Sequence, residues 1–152
     1  MIRNRENAEH YRWGDVCDGW RLIDQPDLSV IQERIPPGAG EVSHYHQRAR
    51  QLFFVLSGRL EIGLSGRVLS LLPGDSLEVS PGEPHQVRNV GDVDATFLVV
   101  SAPATRGDRI NLNSLATDSG DDVAAAEPGV ADEHFGRFAP SVVIKRERWR
   151  RI

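Results

Sequence analysis

Between Gly19 and Ala102 the chain is cut every few residues by a turn signal, and that punctuation limits its fold more than any other feature. Pro36-Pro37-Gly38, Ser57-Gly58, Ser65-Gly66, Pro73-Gly74-Asp75, Pro81-Gly82 and Gly91-Asp92 separate short apolar or alternating runs. The runs cover 20–24, 29–35, 51–56, 59–64, 68–72, 77–79, 85–89 and 95–101. None sustains a 3.6-residue apolar period for three turns, so no helix is expected there. Closely spaced strands joined by Gly and Pro turns pack as an antiparallel sandwich or barrel. The expected fold class is all-β.

The two ends read differently. Residues 1–18 form a charged arm with Tyr11 and Trp13 as anchors, suited to a short helix or a loose strand. A barrel over 19–102 is followed by a polar extension over 103–140. Between Asp118 and Glu133 that extension carries six acidic side chains and no basic one, too little apolar surface to offset the entropy of ordering it. Residues 141–145 read as one more strand, and a basic tail around Trp149 closes the sequence.

With 152 residues, one domain with a hydrophobic core is the expectation. A net charge of −4 argues against nucleic acid or an anionic membrane as the main partner. The longest apolar stretches are strand-sized, well short of the roughly 20 residues a spanning helix needs. Cys17 is the only cysteine, which excludes an intrachain disulfide and fits a reducing, cytoplasmic setting.

Chemistry concentrates in His44-Tyr45-His46-Gln47-Arg48-Ala49-Arg50-Gln51. On a strand alternate side chains share a face, so His44 and His46 point the same way. Gln51, Phe53 and Val55 share a face of the next strand. His85 follows the Pro81-Gly82 turn, which aims it toward the same cavity. Neutral imidazoles suit zinc, iron, nickel or manganese, commonly with an oxygen ligand beside them.

Gly38, Gly40, His44, His46, Gln51 and Gly58, followed by Pro73-Gly74-Asp75, Pro81-Gly82, His85 and Asn89, form a pattern that resembles the cupin family over 27–101. The resemblance implies a double-stranded β-helix, or jelly-roll barrel, holding one divalent metal ion (Zn, Fe, Mn or Ni). It implies His44, His46, Gln51 and His85 as ligands, Gln51 through its side-chain oxygen. Where most metal cupins carry Glu, this chain has Gln51, and Ser80 stands where the second motif usually has Pro. An amide does not neutralise a divalent ion as a carboxylate does, so a three-His, one-Gln site keeps more positive charge. That favours polarising a substrate oxygen and lowering the pKa of bound water, toward roughly 7 in zinc enzymes. Cupins of pectin degradation that open uronate rings are one precedent for the Gln.

Candidate pocket residues are Tyr45, Arg48, Phe53, Val87, Phe97 and Arg34, with Arg50 beside Arg48. Glu33 and Arg34 point to opposite faces of one strand, so only one of them faces the cavity. Leu52, Phe54 and Leu56 make the strand's other face apolar, which a homodimer or the N-terminal arm would cover. Asn89 and Gly58 read as turn-forming, and the Arg106-Gly107-Asp108 triplet as coincidence. The expected function is metal-dependent isomerase or lyase chemistry on a small oxygen-rich metabolite. A non-heme iron dioxygenase on the same ligands, or a sensor that binds a small ligand unchanged, are the alternatives.

Overall fold

Turn chemistry sets the strand ends. Ser65 and Gly66 both adopt positive φ, 49° and 79°, the pairing a two-residue hairpin needs to match strand twist. They join β6 (Leu60–Leu64) to β7 (Arg67–Leu71), and Leu64 lies opposite Arg67. Gly58, at φ +76°, closes β5 (Arg50–Ser57), and a Cβ there would fall 2.3 Å from the Asp94 carbonyl oxygen.

The structure is a computed structural model and describes residues 1–112. The acidic stretch, the strand expected at 141–145 and the basic tail lie outside the described residues. Besides β5–β7, the strands are β1 (Glu9–Trp13), β2 (Cys17–Gln25), β3 (Leu28–Ile35), β4 (His44–His46), β8 (Ser76–Val79), β9 (His85–Arg88), β10 (Ala95–Ala102) and β11 (Arg109–Asn111). They form two antiparallel sheets, β1-β2-β3-β10-β5-β8 and β11-β4-β9-β6-β7. No helix occurs among the described residues, so none is long and apolar enough to cross a membrane.

Strands extend past the 19–102 span at both ends. β1 pairs with β2 over Glu9↔Arg21 to Trp13↔Cys17, so Tyr11 and Trp13 anchor the arm as an edge strand. β11 adds to β4 beside the histidines, with Arg109 opposite His46 and Asn111 opposite His44.

Between the sheets the core consists of Ile35, Val55, Leu60, Ile62, Val79, Val87, Ala95 and Phe97, all buried. Truncating Phe97, which is 0% exposed, to Ala would cost about 3–5 kcal/mol. Asn89 locks this end. Its Nδ2 donates to the carbonyls of Ile35 and Val93 at 2.8 Å, and its Oδ1 accepts from the Gly91 amide.

Across the six-stranded sheet the inward rows are Val55–Phe97–Glu33, then Phe53–Val99–Ile31, then Gln51–Ser101–Ser29. The first row sits in the closed end except at Glu33. The last faces the histidines' sheet.

Candidate metal centre

The β4–β9 pairing sets His44 directly opposite His85, and the two-residue period of β4 turns His46 to the same side as His44. The Gly82 amide donates to the His46 carbonyl at 2.7 Å, fastening the Pro81-Gly82 turn to β4 just ahead of His85. One nitrogen from each of the three rings lies within 4.8 Å of the others. All three side chains are buried.

Each ring is held neutral. Burial pushes His44 down to about 3, helped by the charges of His85 and Arg109. Burial likewise takes His46 down to about 4 and lowers His85. His85 Nδ1 sits 3.0 Å from the Glu83 carbonyl and His44 Nδ1 3.1 Å from that of Val42. With those nitrogens donating, Nε2 of each ring carries the free lone pair. His85 Nε2 has no partner, while His44 Nε2 lies 3.2 Å from Arg109 Nη1.

Gln51 approaches from the other sheet. Its Nε2 donates to Ser101 Oγ at 3.2 Å, and its Oε1 is buried without a partner. A buried amide oxygen left unpaired costs about 1–3 kcal/mol unless something binds it.

Arg48, Ala49 and Arg50 must turn sharply between His46 and Gln51, and Asp108 is what holds them. Its buried carboxylate accepts from the amides of Arg48 and Ala49, the latter at 2.8 Å, and from Arg48 Nε. Burial opposes its ionisation, but those donors outweigh it and hold the carboxyl below the usual range. The Asp of the 106–108 triplet is therefore a clamp for the turn between His46 and Gln51.

The histidines His44 and His46 open onto a cavity of about 580 Å³, which also contains Gln51 and Phe53. That volume suits a small metabolite. Glu33, Glu41, Arg109 and Tyr11 line it too. Glu41 pairs with Arg109 at 3.0 Å, and burial still raises its carboxyl to about 7 against that cation.

Several pocket expectations are corrected here. Arg34 lies on the outer face, bonded to Asp18 and Asp94, because β3 alternation turns Glu33 inward instead. Val87 and Phe97 sit in the closed end as core, too far along their strands to reach the cavity. Arg48 is exposed and engaged by Asp108, Arg50 pairs with Glu78, and Tyr45 points away from the histidines as strand alternation demands. Phe53 does line the cavity, its ring 5.8 Å from that of His85. Glu33, Glu41, Arg109 and Asp108 gave no signal beyond strand parity, since their partners are remote in sequence.

Comparison with known proteins agrees with this architecture. The cupin domain family matches residues 31–101. The polyketide synthase CurC of Streptomyces cyaneus is 31% identical over 108 residues, 70% of each chain. An oxalate-binding protein of Thermotoga maritima is 28% identical over 67 residues, 44% of this chain and 55% of that one. The chain spans 55–70% of the length of the curated relatives it matches. Among solved structures, KdgF from Halomonas superposes with a TM-score of 0.65 at 20% identity, covering 70% of this chain and 98% of that one.

Proposed function

Because the chain belongs to the cupin family, we propose that it holds one divalent metal ion on His44, His46, His85 and Gln51 and performs Lewis-acid chemistry on a small oxygen-rich metabolite. The observation that carries this reading is the buried, unpartnered Gln51 Oε1 in the cavity that His44 and His46 also line. Three imidazoles held neutral by burial complete a donor set suited to a divalent ion. Such an ion, when bound, polarises a carbonyl or hydroxyl oxygen toward isomerisation, ring opening or elimination.

The chain's own groups supply the rest. Val42 and Glu83 carbonyls fix the orientation of His44 and His85, as backbone acceptors do at metal sites. Ser101 fixes the amide of Gln51. Arg109, now sharing His44 Nε2 and Glu41, supplies a cation for an anionic metabolite group. The cavity wall of Phe53, Ile31 and Val99 limits water around the ligand.

Elemental analysis of the purified full chain tests the metal: close to one ion per chain is expected, and His85→Ala should lose it. A stoichiometry unchanged in His85→Ala defeats the ligand set. Oxygen uptake with ferrous iron but not zinc would favour the dioxygenase alternative. A metabolite bound but unaltered over hours would favour a sensor.

The same reading includes a homodimer through the outer face of β5, where Leu52 and Leu56 are exposed on either side of half-buried Phe54. The N-terminal arm pairs at the far edge of that sheet, away from β5. Light scattering should give twice the chain mass, reduced to one chain by Leu52→Glu with Leu56→Glu. A cytoplasmic location fits Cys17, whose thiol is buried and pushed up to about 11.

A further inference from the structure

Glu33 stands between Ile31 and Ile35 on the inward face of β3, where an acid has no packing value and carries a cost unless it is used. Its side chain keeps some accessible surface because it lines the cavity. Its hydrogen-bond partner is a phenol: Tyr11 Oη donates to Glu33 Oε1 at 3.2 Å. Among the described residues no arginine, lysine or histidine lies within ion-pair distance of it, whereas the second cavity acid, Glu41, is neutralised by Arg109 at 3.0 Å. Burial raises both carboxyls of the cavity, but of the two only Glu41 has a cation within ion-pair distance.

The fold is shaped to keep this contact. Tyr11 on β1 reaches Glu33 on β3 by crossing β2 at Gly19, where an added Cβ would sit 2.4 Å from the phenol ring. Only a residue without a side chain lets the ring lie there. Arg21 also lies over the ring, its guanidinium carbon 4.6 Å from the centroid.

We infer that Glu33 is the acid–base group of the cavity, taking and returning the proton on carbon next to a ligand's carbonyl, with Tyr11 as its positioning residue. This rests on the Lewis-acid reading above and adds the group that reading lacks. The carboxylate removes the proton, and the C–H electron pair becomes the carbon–carbon double bond of an enolate whose charge rests on the former carbonyl oxygen. Glu33, once its proton has exchanged with solvent, returns one to carbon and restores the carbonyl compound. No oxidant or reductant is needed.

Electrostatics support the role. Burial, then the charge of Glu41, raises the Glu33 carboxyl to about 8, against the opposing influence of Tyr11, Arg109 and Arg21. A base poised near neutral pH is the efficient one. The groups that act on it are Tyr11 and Arg21 from β1 and β2, Glu41 from the segment after β3, and Arg109 from β11.

Two measurements on the full-length chain test the assignment. The first follows the Glu33 carboxyl by carbon-13 NMR in glutamate-labelled protein, assigned with Glu33→Gln, with and without zinc. A midpoint near 8, moved further up in Tyr11→Phe, is expected, since the phenol favours the ionised form. A midpoint in the ordinary carboxylate range overturns the proposal.

The second follows deuterium entry from D2O into dihydroxyacetone by zinc-loaded protein of measured metal content. Exchange should fall roughly 100-fold or more in Glu33→Gln at unchanged metal content, and less in Tyr11→Phe. Wild-type protein that carries zinc but leaves the probe unexchanged, or Glu33→Gln that exchanges at the wild-type rate, overturns it. Wild-type protein that binds no zinc defeats the metal reading instead, and the carboxyl midpoint then decides the Glu33 assignment alone.

Discussion

Gln51 Nε2 donates to Ser101 Oγ at 3.2 Å, across the β5–β10 pair in which the two residues stand opposite each other. The bond occupies the nitrogen end of the amide and leaves the oxygen end buried and unpaired in the cavity. With Ser101 Oγ accepting from Nε2, Oε1 is the end of the Gln51 amide left free in the cavity.

Removing that hydroxyl frees the amide to rotate. Ser101→Ala should weaken zinc binding about tenfold, the lower range for losing a ligand's supporting partner. Gln51→Ala should weaken it more, and Gln51→Glu should strengthen it by adding a neutralising charge. Competition against a chromophoric chelator measures all three. Equal affinities in wild type and Ser101→Ala would show that the amide orientation does not matter.

Acid should destabilise the metal-free chain through the histidines. Their folded values, about 3 for His44 and about 4 for His46, lie below the ordinary 6.5. Between those limits the unfolded chain binds more protons than the folded one. The stabilisation is therefore complete above about 6.5 and is lost as pH falls, with a limiting slope of about 1.4 kcal/mol per pH unit for each ring. Glu33 and Glu41, raised to about 8 and about 7, act in the opposite sense over the same window. The histidine contribution is therefore read as the difference between urea melts of wild type and His46→Asn, which should narrow as pH falls from 7 to 4.5. A difference that does not change with pH would contradict it.

Asp108 carries the turn between His46 and Gln51. Asp108→Ala leaves the buried amide of Ala49 without its acceptor and should cost about 1–3 kcal/mol. Hydrogen exchange at Arg48 and Ala49 should accelerate, with metal affinity falling in parallel. Asp108→Asn, which keeps one acceptor oxygen, should recover part of the loss. Unaltered exchange in Asp108→Ala would remove the clamp from the account.

Gly19→Ala should displace the Tyr11 ring rather than be absorbed, because the ring carbons stand 2.4 and 2.6 Å from the new Cβ. Overpacking of this kind costs about 1–3 kcal/mol. Tyr11 fluorescence and the melting temperature should both change, whereas zinc stoichiometry should not. A melting temperature equal to wild type would mean that β1 gives way freely.

Strand positions, turn chemistry and the shared face of His44 and His46 were legible in the residues, because a two-residue period and a positive φ are local properties. The same periodicity implied that only one of Glu33 and Arg34 faces inward. It could not choose between them, since the choice depends on Asp18 and Asp94 waiting on the outer face to pair with Arg34. Phe97 and Val87 have the right parity for the cavity but lie too far along their strands, a depth that depends on inter-strand register.

What the sequence by itself determined is the alternation: which side chains share a face, and where the chain must turn. Tertiary structure alone decided which faces meet. The opposition of His44 and His85, the rotation of Gln51 by Ser101, the grip of Asp108 on the turn after His46, and the reach of Tyr11 over Gly19 to Glu33 each join residues far apart in the chain. Their distances come from the register between strands, which packing of the whole barrel sets and no local pattern encodes.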